Sequence, residues 1–205
     1  MIELVVFDMD GVLAELDRPR RLALLTEMTG KPPGFLQAAI WDSNVEPGAE
    51  TGAYATGAEY LAEWNRRTGC RLTRAQWVRA RREAMTVQHD TVRIAAALFD
   101  QCGIAMLTNN GALLYEALPE IFPEMFRVFG SRAHASFQFM ARKPQPQVFE
   151  RLVARYGVPP GRAVFVDDDE EYVAGARQAG LKGILFTGDA ELRRRLRAFG
   201  FSVKT

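Results

Sequence analysis

Cysteine and histidine are both scarce in this chain of 205 residues, with two of each. Cys70 and Cys102 lack CxxC or metal-ligand spacing, which excludes a disulfide framework and a thiolate metal site and points to a reducing compartment. No apolar run reaches the ~20 residues of a membrane span. The N-terminus lacks a basic region followed by an apolar stretch and a cleavage site, so the expected location is cytoplasmic. Net charge is scarce too: 26 Lys and Arg oppose 25 Asp and Glu, a formal charge of +1. That leaves no global field to recruit nucleic acid or an anionic membrane. The Arg-rich stretches Arg79-Ala80-Arg81-Arg82 and Arg193-Arg194-Arg195 lie in helical contexts and read as solvated faces.

What the chain does have is acidic clusters at the ends of apolar runs. Ile2, Leu4, Val5, Val6 and Phe7 lead into Asp8-Met9-Asp10-Gly11, and Ala163-Val164-Phe165-Val166 leads into Asp167-Asp168-Asp169. Short continuous apolar runs suit strands buried on both faces of a parallel sheet. Further strands are predicted at 104–107, 126–129 and 183–186, with helices at 113–118, 147–156, 171–179 and 190–199. Gly157, Gly180 and Gly200 sit where helix caps are expected. This alternation predicts parallel βαβ units in a doubly wound, Rossmann-like α/β core.

Residues 14–90 break the rhythm. Helical patterns at 20–28, 59–67 and 74–86 are punctuated by Lys31-Pro32-Pro33-Gly34 and Glu46-Pro47-Gly48, with no convincing strand. The expected organisation is a core of 1–13 and 91–205 with a helical cap of 14–90. Phe35, Trp41, Tyr54, Tyr60 and Trp64 should mostly form the cap's own core, with one or two facing a ligand. Arg18 and Arg20 read as exposed helix-start residues.

Carboxylates at the ends of two parallel strands meet at one rim of the sheet, where open α/β folds bind ligands. Crowded carboxylates repel unless a cation neutralises them, and hard oxygen ligands favour Mg²⁺. A carboxylate attacks phosphorus while a second, protonated carboxyl protonates the leaving oxygen. Alone, Asp8 and Asp10 are equally compatible with a solvated turn. Thr108-Asn109-Asn110-Gly111, after Met106-Leu107, offers either a phosphate cradle or a plain helix cap. Lys143-Pro144 offers a point charge for phosphate or mere surface punctuation, and Pro144 suits a first helical turn.

Taken in this order, Asp8-Met9-Asp10-Gly11, Thr108, Lys143 and Asp167-Asp168 resemble the motifs of the haloacid dehalogenase superfamily, and the likeness spans the whole chain. Residues 142–179 are especially similar to the branch of small sugar-phosphate phosphatases and the phosphatase domains of some epoxide hydrolases. The resemblance implies that Asp8 is the nucleophile and a Mg²⁺ ligand. Asp10 is implied as general acid and base, with its main-chain carbonyl on the metal. It gives Thr108, Lys143 and the backbone N–H of Asn109 to the phosphoryl group, and Asp167 and Asp168 to the metal. One departure is Tyr172, where that branch commonly carries Asn or Asp; either Asp169 compensates, metal affinity falls, or Tyr172 simply packs inward.

The implied activity is a Mg²⁺-dependent phosphomonoester hydrolase acting on a small phosphorylated metabolite, with no nucleic-acid or membrane partner. Asp10 favours phosphate esters over carbon–halogen bonds, because a halide leaving group needs no proton. The alternatives are a phosphomutase of the β-phosphoglucomutase type and a non-catalytic phospholigand-binding protein. No pattern specifies an oligomeric state. His89 and His134 fall on no motif and read as surface or core residues, and Cys102 as a small buried one.

Overall fold

The computed structural model describes residues 1–203. Four apolar residues form β1 (Leu4–Phe7), and all four side chains are fully buried. After a tight turn come β2 (Ala14–Leu16) and a run of helices: α1 (Arg18–Thr29), α2 (Pro33–Leu36), a π-helical turn (Gln37–Trp41), α3 (Val45–Glu50), α4 (Gly57–Thr68) and α5 (Arg74–Glu83). β3 (Met85–Val87) closes this segment by pairing antiparallel with β2, Ala14 opposite Val87. Then follow α6 (His89–Ala97), β4 (Gly103–Thr108), α7 (Ala112–Ile121), α8 (Pro123–Phe129) and β5 (Ala133–Ala135). α9 (Pro146–Arg155), β6 (Ala163–Asp167), α10 (Glu170–Gln178), β7 (Lys182–Leu185) and α11 (Asp189–Ala198) complete the described chain. Among the described residues, no helix is long and apolar enough to cross a membrane.

The main sheet has the order β5-β4-β1-β6-β7, and every pairing in it is parallel. The chain winds from β1 out to β4 and β5, then crosses back to β6 and β7, so strand order reverses beside β1. Such a reversal opens a crevice at the carboxyl ends of the strands. Phe7 stands level with Met106 on one side and Val166 on the other. That register brings the residues just beyond all three strands to one rim.

Side-chain alternation then sorts two cores. Leu4, Val6, Leu107 and Phe165 face Val148, Phe149 and Leu152 of α9 and Ala176 of α10. Val5, Phe7, Met106 and Val166 face the other side, in one cluster with Ile94, Phe129, Leu192 and Leu196. Burying each such side chain is worth about 1.5–3 kcal/mol. This exceeds the ~1–2 kcal/mol of backbone entropy per ordered residue, which is why a strand this apolar takes the centre.

Several expected elements need correction. Phe126–Phe129 belongs to α8 and not to a strand: Pro123 occupies the first helical turn, and the buried pair is Met125 and Phe129 at helical spacing. The edge strand is instead β5, whose Ala-His-Ala is too short and too small to show a strand pattern. The segment 14–90 does hold strands, β2 and β3, which form the stem of the helical excursion. The helix expected over 74–86 therefore stops at Glu83, because Met85-Thr86-Val87 joins that ladder. Pro33 and Pro47 do not break helices but sit in the first turns of α2 and α3. Pro146, not Pro144, opens α9, and the Lys143–Pro144 peptide is cis.

His134 fastens the edge strand. It is buried, with Nε2 2.8 Å from the Tyr156 hydroxyl and Nδ1 3.3 Å from Gln138 Oε1. Burial, helped by the charge of Arg155, pulls its pKa down to about 4. The unfolded chain titrates near about 6.5, so between these values it binds the extra proton. The stability this group confers is complete above pH 6.5 and drains away as pH falls toward 4. Urea unfolding at pH 7 and pH 5 is expected to show a loss of about 1–2 kcal/mol from this group in the native protein, absent in His134→Gln. Equal losses in both proteins would contradict that.

Candidate active site

Three strand ends build the site. Asp8 follows β1 and extends its ladder, donating its backbone N–H to the Val166 carbonyl at 2.9 Å. Thr108 is the last residue of β4 and Asp167 the last of β6, both buried. Lys143 enters from the loop before α9 and is 1% exposed. Its ammonium lies 2.7 Å from Asp8 Oδ1 and 2.7 Å from Asp167 Oδ2. Only the Asp167 contact has hydrogen-bond geometry; Asp8 Oδ1 meets the ammonium as a charge contact and stays buried without a hydrogen-bond partner.

Lys143 is fixed from several directions. The Asn109 side chain clamps its backbone, accepting the Lys143 N–H at 2.8 Å and donating to the Lys143 carbonyl at 2.9 Å. The rings of Tyr172 and Phe165 lie 4.7 and 5.4 Å from its nitrogen, cation–π contacts worth ~0.5–2 kcal/mol each. Behind the loop, α10 approaches so closely that a Cβ on Gly175 would sit 2.1 Å from the Pro144 carbonyl oxygen. Tyr172 thus packs inward, and it does so against the site's amine.

Asp8, Asp167 and Asp168 each offer a carboxylate oxygen within 4.8 Å of the others. Burial pushes the Asp8 carboxyl well above its usual range; Lys143 opposes this, while Asp167 and Asp10 add to it. Asp168 is raised by burial and by the Asp167 charge. For Lys143, burial pulls downward, but Asp8 and Asp167 outweigh it and the ammonium is held above its ordinary value. One ammonium cannot neutralise three carboxylates, a shortfall that adds to burial in raising Asp8 and Asp168. A divalent cation on these oxygens removes it, and an all-oxygen set suits Mg²⁺. The residues therefore fit such an ion. Gly11 (φ 92°) makes room for this arrangement, because a Cβ there would fall 2.3 Å from Asp168 Oδ2. Asp169 does not join the cluster; its carboxylate caps α10 by accepting the Glu171 N–H at 2.8 Å.

Asp10 stands apart from the three carboxylates. Its two oxygens accept from one nitrogen of Arg81, at 2.9 and 2.7 Å. Arg81 was expected on a solvated face, yet it is 1% exposed. The signal was present in the helical period: Trp77, Val78, Ala80 and Arg81 are buried on α5 while Arg79 and Arg82 are exposed. In the C-terminal Arg run, Arg194 and Arg195 do behave as a solvated face, pairing with Glu191. The Thr108 hydroxyl accepts from Asn110 Nδ2 at 2.8 Å, and Asn109 contributes by clamping Lys143, a role its sequence context did not reveal.

A cavity of about 440 Å³ opens beside Asp10. Asn109 and Asn110 line it from the core, and Arg21, Trp41, Glu46 and Glu50 from the helical segment. Arg18 lines it too, while Arg20 is exposed beside Glu83. Trp41 is thus the helical-segment aromatic that lines this cavity, whereas Tyr60 and Trp64 are core. Burial pushes the Glu50 carboxyl up to about 7 against the pull of Arg142, 2.6 Å away.

Comparison with known proteins agrees with the fold. The family model for haloacid dehalogenase-like hydrolases matches residues 2–180. A predicted HAD-like family hydrolase of Porphyromonas gingivalis superposes with a TM-score of 0.80 at 22% identity, covering 96% of this chain and 98% of that one. A HAD family enzyme of Bacteroides thetaiotaomicron, in complex with magnesium and inorganic phosphate, gives 0.74 at 19% identity over 90% and 93% of the chains. L-2-haloacid dehalogenase of Xanthobacter autotrophicus, with chloropropionic acid covalently bound, gives 0.63 at 19% over 97% and 83%. At these identities the likeness to the solved structures speaks to the fold.

The close approach behind Lys143 generates a test. Gly175→Ala is expected to cost about 1–3 kcal/mol in urea unfolding, since the methyl collides with the Pro144 backbone and not with a flexible side-chain tip. Unchanged stability would mean that α10 does not buttress this loop.

Proposed function

The chain belongs to the haloacid dehalogenase-like hydrolases, and on that premise we propose that it is a Mg²⁺-dependent phosphomonoester hydrolase. The observation that carries this reading is the buried contact of Lys143 with Asp8, inside a group of three carboxylates at a sheet rim. Phosphoryl transfer needs positioning and charge neutralisation above all, and those are what this arrangement provides. The magnesium and phosphate found with the Bacteroides thetaiotaomicron enzyme of the same fold support the assignment.

In this reading Asp8 attacks phosphorus, forming an Asp8 O–P bond as the ester P–O bond breaks. Asp10, at the cavity wall, gives its proton to the departing alkoxide. Asp10 then takes a proton from water, which attacks the aspartyl-phosphate, releases inorganic phosphate and restores Asp8. Lys143 and Thr108 hold the phosphoryl oxygens, with the N–H of Asn109 beside them. Arg81 positions the Asp10 carboxylate through both of its oxygens; one oxygen is enough to retain Arg81 while the other moves the proton. Mg²⁺ held by Asp8 and Asp168, with Asp167 alongside and the Asp10 main-chain carbonyl completing the set, would neutralise charge so that a carboxylate can meet an anionic ester. The presence of Asp10 favours this chemistry over carbon–halogen cleavage, where no leaving-group proton is required.

Residues 14–90 act as a cap over the core of 1–13 and 91–205. The support is that Arg21, Trp41, Glu46 and Arg81 all reach the cavity from this segment while Asn109 and Asn110 reach it from the core. Closure of such a cap excludes water from the first step.

Purified protein with Mg²⁺ is expected to release free phosphate, and not an isomerised ester, from p-nitrophenyl phosphate and small sugar phosphates. Asp8→Asn should lower kcat by about 10³-fold or more, since the nucleophile itself is lost. Retention of most turnover in that variant would show that Asp8 is not the nucleophile.

A further inference from the structure

Of the two buried arginines that line the cavity, Arg81 is paired with Asp10 and Arg21 has no counterion. It is 8% exposed and lines the cavity, and its guanidinium forms no hydrogen bond or ion pair with any described residue. Its Nε is buried without a partner. What it has instead is two indoles: its guanidinium carbon lies 5.3 Å from the Trp41 ring centroid and 5.2 Å from that of Trp77. Aromatic faces hold a guanidinium plane but leave its N–H edge unsatisfied, because that edge carries all five donors.

Asp10, Arg81 and Glu50, which also line the cavity, are already paired. Arg81 is bound to Asp10, and Glu50 to Arg142. Glu46 accepts the Tyr60 hydroxyl at 2.5 Å and is felt by Arg21 only through space. Arg81, a second cation close to Arg21, is matched by Asp10, so among the described residues no carboxylate is left in contact with the Arg21 guanidinium. A buried cation left unpaired is costly, and the cheapest remedy is an anion brought by the ligand. Arg18 lines the same cavity and adds to the positive side. The volume of about 440 Å³, lined by Asp10 and Asn109 as well as by Arg21, is enough for a small organic body.

We infer that Arg21 receives a second anionic group of the substrate, so that the ester cleaved here carries a carboxylate or a further phosphate in addition to the phosphoryl group transferred. A guanidinium fork matches either group with paired N–H···O bonds. This rests on the phosphatase reading above and names its substrate class. Trp41 and Trp77 position Arg21, holding its plane so that the fork faces the cavity.

A three-carbon series tests it. Glycerol 3-phosphate has no second anion, 3-phosphoglycerate adds a carboxylate, and propane-1,3-diol bisphosphate adds a phosphate. With Mg²⁺ present, kcat/KM is expected to be at least about tenfold higher for one or both doubly anionic esters, chiefly through KM, as a charge-assisted pair provides. Which of the two is preferred separates carboxylate from phosphate. In Arg21→Gln the ratio of doubly to singly anionic kcat/KM should fall to near one. That ratio is independent of how much of the preparation is folded. Binding supplies a second readout, since Trp41 and Trp77 flank the guanidinium: in Asp8→Asn, tryptophan fluorescence should respond to the doubly anionic esters at about tenfold lower concentration than to glycerol 3-phosphate. Turnover of all three esters at similar kcat/KM, with equal fluorescence titrations, would overturn the inference and leave the phosphatase reading intact. Preferential binding with no turnover of any ester would keep the inference and sink the phosphatase reading.

Discussion

The buried ammonium of Lys143 between Asp8 and Asp167 is the contact on which the site depends. Burying a charge costs several kcal/mol, and only near-ideal partners recover it. The fold supplies them by placing β1 and β6 side by side, so that the residues after Phe7 and Val166 emerge together. Asn109, Tyr172, Phe165 and the bare face of Gly175 then fix the loop that carries the amine. Three carboxylates face one amine, and that excess of negative charge suits a hard cation at the rim. Burial, with the Asp167 charge added to it, holds the Asp8 and Asp168 carboxyls above their ordinary values.

Much of this was legible in the chain itself. Fully apolar strands such as Leu4–Phe7 and Ala163–Val166 announce a parallel sheet because both of their faces must be buried, and carboxylates placed directly after them have only one rim to occupy. Elements decided by tertiary context were not legible. Ala133–Ala135 is a strand because it completes the sheet edge beside β4, not because of its composition. Phe126–Phe129 looks like a strand until Pro123 sets a helix turning. Three-residue ladders such as Ala14–Leu16 with Met85–Val87 carry too few residues to alternate.

The arginines show the same limit at the level of charge. A run of basic residues on a helix is ordinarily solvated, and Arg79 and Arg82 follow that rule. Arg81 and Arg21 do not, because each has a partner that only the folded chain brings near: Asp10 for the first, paired indoles for the second. Both come from the helical segment, so the excursion between β2 and β3 is chemically tied to the rim of the sheet. Arg81, bound to Asp10, and Arg21, held by the indoles, line the same cavity. Tyr172 belongs to this pattern as well, since its ring meets the Lys143 ammonium only in the folded chain.

The most direct measurement of the central claim is thermal unfolding with and without millimolar Mg²⁺, in the native protein and in Asp168→Asn. An ion bound at a concentration 100-fold above its Kd stabilises by about 2.7 kcal/mol, which raises Tm by several degrees in a chain of this size. The account predicts that rise in the native protein and its loss in the variant. A native Tm indifferent to Mg²⁺, or a variant that responds as fully as the native protein, would contradict the claim that these carboxylates converge to hold a cation.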